Sequence, residues 1–167
     1  MKRRQWLIWL TGLGLLVIGC QIAGGEDEST AVSPNSLPTS PPLPTLDPDE
    51  IAQGQQVYIT HCARCHGTNL EGELNWKEQN EDGSFRTPPH DASGHTWHHA
   101  DSLLIESIEL GGARFEGMNI GGTSNMPAFG EILTMEEITA VLTYIKSTWP
   151  EETRATQWEV TVMTDGQ

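Results

Sequence analysis

The 167-residue sequence predicts an all-α domain over residues 47–150, with a helix at either end and long loops between them. Three observations carry this. A capped, helically periodic stretch opens at Asp47, and a second closes before Pro150. Between them the chain is rich in glycine and histidine and has little periodicity, as in loops that wrap a bound group. The pentapeptide Cys62-Ala63-Arg64-Cys65-His66 sits where the first stretch ends.

The chain opens with Lys2, Arg3 and Arg4, then an apolar run from Trp6 to Ile18 broken only by Thr11 and two glycines. Val17-Ile18-Gly19-Cys20 follows and resembles the lipobox of bacterial lipoproteins. Residues 1–19 read as a lipoprotein-type signal peptide, with cleavage before Cys20 and acylation of its thiol. The competing reading is an uncleaved signal anchor, for which the apolar run is short. Either places the remainder outside the cytoplasmic membrane, tethered to it and facing the periplasm or the cell exterior. Residues 20–46 carry Pro34, Pro38, Pro41, Pro42 and Pro44 among Ser, Thr and Gly, and too few large apolar residues to fold. They read as a flexible tether with a reach of about 30 Å.

At the start of the domain Asp47 suits an N-cap, Pro48 the first helical position, and Glu50 a capping-box spacing. Ile51, Gln55, Tyr58 and Ile59 then recur at helical spacing, with Gly54 and Val57 beside them. This helix is expected to run into His61 and deliver the cysteine motif at its end. A shorter helix is expected from Asp101 to Leu110, with Leu103, Leu104, Ile105 and Ile108 inside and Gly111-Gly112 beyond it. Thr134-Met135-Glu136-Glu137 is a capping box for the last helix, along which Ile138, Val141, Leu142, Ile145 and Trp149 recur before Pro150. The tail, residues 151–167, alternates around Trp158, Val160 and Val162 and reads as an extended strand or a loose end.

A C-x-x-C-H run is the attachment signature of a c-type haem. The two thiols add to the haem vinyl groups, and the following histidine is held under the ring with Nε2 facing the iron. A redox dithiol or half of a zinc site also uses C-x-x-C. No βαβ alternation surrounds Cys62, however, and no second C-x-x-C exists; histidines 90–99 are the remaining source of zinc ligands. Cysteine usage agrees with haem: one at the lipobox and two in the motif leave neither a free thiol nor a disulfide.

On these residues the segment 47–150 resembles a class I cytochrome c. The resemblance implies first and last helices that cross through a small residue on one and aromatics on the other. Gly54 and Tyr58 match the first, Tyr144 and Trp149 the second. It also implies one covalent haem c, bound through Cys62 and Cys65, with His66 as one axial ligand of the iron. The second is a methionine on the loop before the last helix, and Ser124-Asn125-Met126-Pro127 fits. Met126 lies 60 residues after His66, and Pro127 restrains it to an extended backbone. Met118, flanked by glycines and lacking the proline, is the rival, and a histidine a further alternative. The family orients its ligand histidine with a proline carbonyl. Pro88 and Pro89 are candidates, displaced along the chain by an insertion over about residues 71–86.

His90, His95, His98 and His99 cluster around Trp97. They are expected to line the haem edge, bond its propionates or cap the helix at Asp101, with Trp97 against the ring or a propionate. A second site for copper or zinc is the competing reading, although the spacing matches no firm pattern. A propionate-bonded histidine would make the redox behaviour pH-dependent.

The formal charge is −14. Three of the nine Lys+Arg lie in the signal, so the mature chain sets six against 23 Asp+Glu, a formal −17. Nucleic acid is excluded as a partner, as is charge-driven binding to anionic lipid. The excess serves solubility and suits redox partners with a basic docking face. The leading functional reading is an electron carrier between membrane respiratory complexes, not an enzyme and without a small-molecule substrate. The alternatives are a haem enzyme or ligand sensor with a displaceable sixth ligand, and a dedicated subunit of an oxidase or dehydrogenase.

Overall fold

A computed structural model describes residues 41–166. The residues read as a signal peptide, Cys20 and most of the proline-rich segment lie outside these residues. The described chain is helical, with isolated bridges but no strands. No helix among the described residues is long and apolar enough to cross a membrane.

Helix α1 spans Pro48–Val57 and starts as its sequence dictates: Asp47 Oδ1 accepts from the Asp49 and Glu50 N–H groups at 2.7 and 3.4 Å. It does not continue as a regular helix to the motif. A π-helical turn, Tyr58–Cys62, widens the path, and α2, Ala63–His66, follows. The longer turn shifts the phase of the helix so that Cys62 is half-buried, Cys65 exposed and His66 buried. Periodicity could not disclose it, because a single widened turn leaves the apolar pattern on either side intact.

Helix α3 spans Asp101–Leu110 and passes into a 3₁₀ turn, Gly111–Phe115. Helix α4, Met135–Ser147, opens with a complete capping box: Thr134 Oγ1 accepts from Glu137 N–H, and Glu137 Oε2 from Thr134 N–H. α4 crosses α1 at Gly54, where a Cβ would overlap the Ala140 carbonyl and lie 2.9 Å from Tyr144 Cβ. Backbone thus meets backbone, and Tyr58 and Tyr144 pack beside the crossing with ring centroids 5.4 Å apart. The core forms around it from Val57, Tyr58, Leu70, Phe129, Leu133, Ile138, Val141, Ile145 and Trp149.

The tail departs from its expected form. Residues Glu151–Asp165 are helix α5, neither strand nor loose end. Pro150 precedes the helix, and Glu151 and Glu152 favour its positive N-terminus. Its buried positions, one turn apart, are Gln157 and Thr161, so the inner face is polar and escapes a hydrophobicity reading. The Gln157 amide reaches Asp101 Oδ1 at 2.7 Å, Thr161 Oγ1 at 2.9 Å and the His99 carbonyl at 3.1 Å. Lys146 pairs with the same Asp101 carboxylate at 2.5 and 2.7 Å, and Ser102 Oγ donates to Asp165. Trp158 Nε1–H donates to the Pro41 carbonyl at 2.9 Å, fastening the end of the proline-rich segment to α5.

Gly54→Ala is expected to force α1 and α4 apart and lower the unfolding free energy by about 1–3 kcal/mol, or more if the helices cannot separate. Denaturant unfolding of the haem-loaded protein checks this; an unchanged midpoint would mean that the crossing is looser than described.

Candidate haem site

Cys62 and Cys65 lie about one turn apart where the π turn meets α2, with His66 directly after them. The turn ends at Gly67, whose φ of +81° favours glycine, and the Tyr58 hydroxyl donates to the Gly67 carbonyl at 2.9 Å. Tyr58 therefore ties the site to the helix crossing.

His66 Nδ1–H donates to the Pro88 carbonyl at 2.9 Å. Of the two prolines open in the sequence, Pro88 is the one used. The bond fixes the tautomer and leaves the Nε2 lone pair free for a metal. Burial, opposed by the Pro88 bond, holds the His66 pKa below the usual imidazole range, so the ring is neutral at neutral pH. It stacks on His90 at 3.8 Å and 21°. His90 Nδ1 lies 3.0 Å from Thr96 Oγ1, and the His90 carbonyl accepts from Trp149 Nε1–H at 2.7 Å. Burial first, then the neighbouring His66 and His95, depress the His90 pKa further. Sequence reading grouped His90 with its neighbours and missed its particular place as a platform behind His66; its adjacency to Pro88-Pro89 was the available signal.

Cys62 does not sit in the environment of a reactive thiol. Reactive thiols sit in environments that lower their pKa. Burial, reinforced by Cys65, instead pushes the Cys62 thiol up to about 11.

Met126 is half-buried and packs, with Cys62 and Trp97, against the one core cluster. Its carbonyl accepts from Gly112 N–H at 2.8 Å, and its own N–H donates to Ser124 Oγ at 3.3 Å. Beyond Pro127 the loop bonds to the end of α3, Phe129 N–H to Ile108 and Gly130 N–H to Glu109. Gly111, at φ +54°, lets the Met126–Pro127 backbone lie against it; a Cβ there would be 2.5 Å from the Met126 carbonyl oxygen. Met118 is 58% exposed.

A model of the cytochrome c family matches residues 51–149, more than half of the chain. The chain belongs to the cytochrome c family. No curated protein and no solved structure matches it. Membership implies a covalent haem c, and Cys62 and Cys65 supply the attachment pair. The surroundings of this cytochrome's motif fit such a group. Trp97 Nε1 and Arg86 Nε are buried donors without a partner, as expected where a haem carboxylate would accept. Cys62, Trp97 and Met126 each pack, partly buried, against the same apolar core cluster.

Of the other histidines, His95 stacks on Trp76 at 5.1 Å and meets His99 edge-on at 5.3 Å, and His98 stacks on Trp97 at 3.7 Å. Among the described residues no group of three or more His, Cys, Asp or Glu is placed to hold a metal ion, so the second-metal reading has no geometry behind it. The N-cap of α3 is Ala100, so no histidine caps that helix.

Burial raises the Tyr58 phenol far above its usual pKa. A pKa raised on folding contributes stability that is intact below the unfolded value, about 10, and is lost as the pH rises past it. Tyr58→Phe is therefore expected to cost about 1 kcal/mol at neutral pH through the lost Gly67 bond. The variant should also show a shallower fall in stability above pH about 10, read by unfolding midpoints across alkaline pH.

Proposed function

We propose that this cytochrome is a one-haem electron carrier with His66 and Met126 as axial ligands, held at the outer face of the cytoplasmic membrane through Cys20. The observation that carries the reading is the setting of the two candidate ligands. His66 is oriented by a backbone carbonyl with Nε2 left free, and Met126 is pinned by backbone bonds against the core cluster on which Cys62 also packs.

A covalently bound haem supplies one-electron iron chemistry. The chain's part is retention, ligation and rigidity. Cys62 and Cys65 hold the group by thioether bonds, so no binding energy is needed to retain it. His66 offers a neutral nitrogen, fixed against rotation by Pro88. Met126 offers a soft thioether, which favours the reduced metal and raises the reduction potential. Both side chains sit on backbone anchored by hydrogen bonds, so little of the chain has to move when the site gains or loses charge. The acidic surface favours salt-sensitive encounters with basic redox partners in a membrane respiratory chain. The protein acts on no substrate of its own in this reading.

The visible spectrum of the oxidised, export-matured protein tests the ligand pair. A weak far-red sulfur-to-iron band beside a c-type haem spectrum is expected. Met126→Ala should abolish the band, lower the reduction potential and admit external ligands. A wild-type spectrum without the band would move the ligand-sensing alternative to the front. Cys20→Ser should shift the protein from the membrane to the soluble fraction, and its retention in the membrane would favour an uncleaved anchor.

A further inference from the structure

The insertion over residues 71–86 has no part in the reading so far, yet its backbone and side chains are closely hydrogen-bonded. Asp82 Oδ1 accepts from Ser84 N–H at 2.9 Å and Ser84 Oγ–H at 2.7 Å. Asn80 Nδ2 donates to Ser84 Oγ at 3.0 Å, and Asn80 N–H to the Ser84 carbonyl at 2.9 Å. Ser84 is only 2% exposed. A solvent-facing loop needs no such turn for its own sake.

What the turn holds is the loop that carries Met126. Phe85 N–H donates to the Thr123 carbonyl at 2.8 Å, and Thr123 N–H returns a bond to Gly83 at 3.3 Å. Gln79 Nε2 donates to the Gly121 carbonyl at 2.7 Å. Gly122 closes the contact: a Cβ there would overlap the Gln79 amide and lie 2.8 Å from the Phe85 ring. Thr123 is three residues before Met126. On the other side Gly112 holds the Met126 carbonyl. Met126 thus lies between two fastenings, one to the end of α3 and one to the insertion. From Gly117 to Gly121 the loop is exposed, with both of those glycines at positive φ, so the insertion is its main support on that side.

We infer that the insertion is a clamp on the Met126 loop, with Gln79, Phe85 and Gly122 as positioning residues that set how readily Met126 is displaced from the iron. This rests on Met126 being the sixth ligand. An external ligand enters only in the fraction of molecules whose loop has opened, so its apparent affinity scales with that fraction. Removing one hydrogen bond of ordinary strength should raise the fraction about three- to tenfold.

The test is imidazole binding to the oxidised haem-loaded full chain, read by loss of the far-red sulfur-to-iron band, together with amide exchange at Thr123. Gln79→Ala, at an exposed side chain, should keep the band without imidazole, bind imidazole about three- to tenfold more tightly and exchange the Thr123 amide faster. Gly122→Ala should act in the same direction. Leu74→Ala, in the same insertion but 85% exposed, should match wild type. In a Met126→Ala background, Gln79→Ala should add nothing, because no ligand is left to displace. Wild-type imidazole affinity in both Gln79→Ala and Gly122→Ala, with the band intact, would overturn the clamp while leaving Met126 as ligand. Faster Thr123 exchange with unchanged imidazole affinity would overturn it as well. A wild-type protein lacking the band would instead overturn the Met126 reading, and the clamp with it.

Discussion

The close crossing of α1 and α4 at Gly54 is the constraint on which the rest depends. Because no side chain stands between Gly54 and the Ala140 carbonyl, Tyr58 one turn later is driven into the core beside Tyr144. From there its hydroxyl reaches Gly67, the residue that ends the motif-bearing turn. The position of His66 is therefore tied to the helix crossing through one phenol, whose hydroxyl bonds the carbonyl nine residues along, at Gly67. Just beyond the end of α4 stands Trp149, whose indole donates to the His90 carbonyl and so holds the ring stacked on His66. Both sides of the candidate ligand histidine are referred back to one pair of helices.

Legibility in the sequence followed the range of the physics involved. The helix starts at Asp47 and Thr134 were readable because caps are local: the acceptor and the amides it serves lie within three residues. The motif at Cys62–His66 was readable because covalent chemistry dictates its spacing. Gly54 and Tyr58 were readable through the family pattern. The π turn was hidden because it changes phase without changing composition. Helix α5 was hidden because Gln157 and Thr161 occupy its buried face, while Trp158, Val160 and Val162 offered a misleading alternation. Gln157 is inside because Asp101, Thr161 and the His99 carbonyl take its amide, and two of those partners, His99 and Asp101, lie 58 and 56 residues away in the chain. The choice of Pro88 over Pro89 was likewise a matter of three-dimensional path, since both offer a carbonyl.

The histidine-rich loop illustrates how one composition divides into separate tasks. His90 turns inward and backs His66; His95 and His98 lie flat on Trp76 and Trp97. Those stacks occupy ring faces, while His95 also meets His99 edge-on at 5.3 Å. The group left unsatisfied there is the indole N–H of Trp97.

The polar seam beneath α5 bears on how the molecule comes apart. Among the described residues its buried hydrogen bonds to α3 run through Gln157, Thr161 and Asp101, with Lys146 of α4 on the same Asp101 carboxylate and an exposed Ser102–Asp165 pair at the helix end. Heat capacity and denaturant response track mainly the apolar surface exposed on opening. Release of α5 alone would uncover little of it, so that event would leave almost no calorimetric signature. It would register instead in its dependence on ionic strength and in the protection of the helix's own amides, as a small cooperative unit separate from the haem-bearing core.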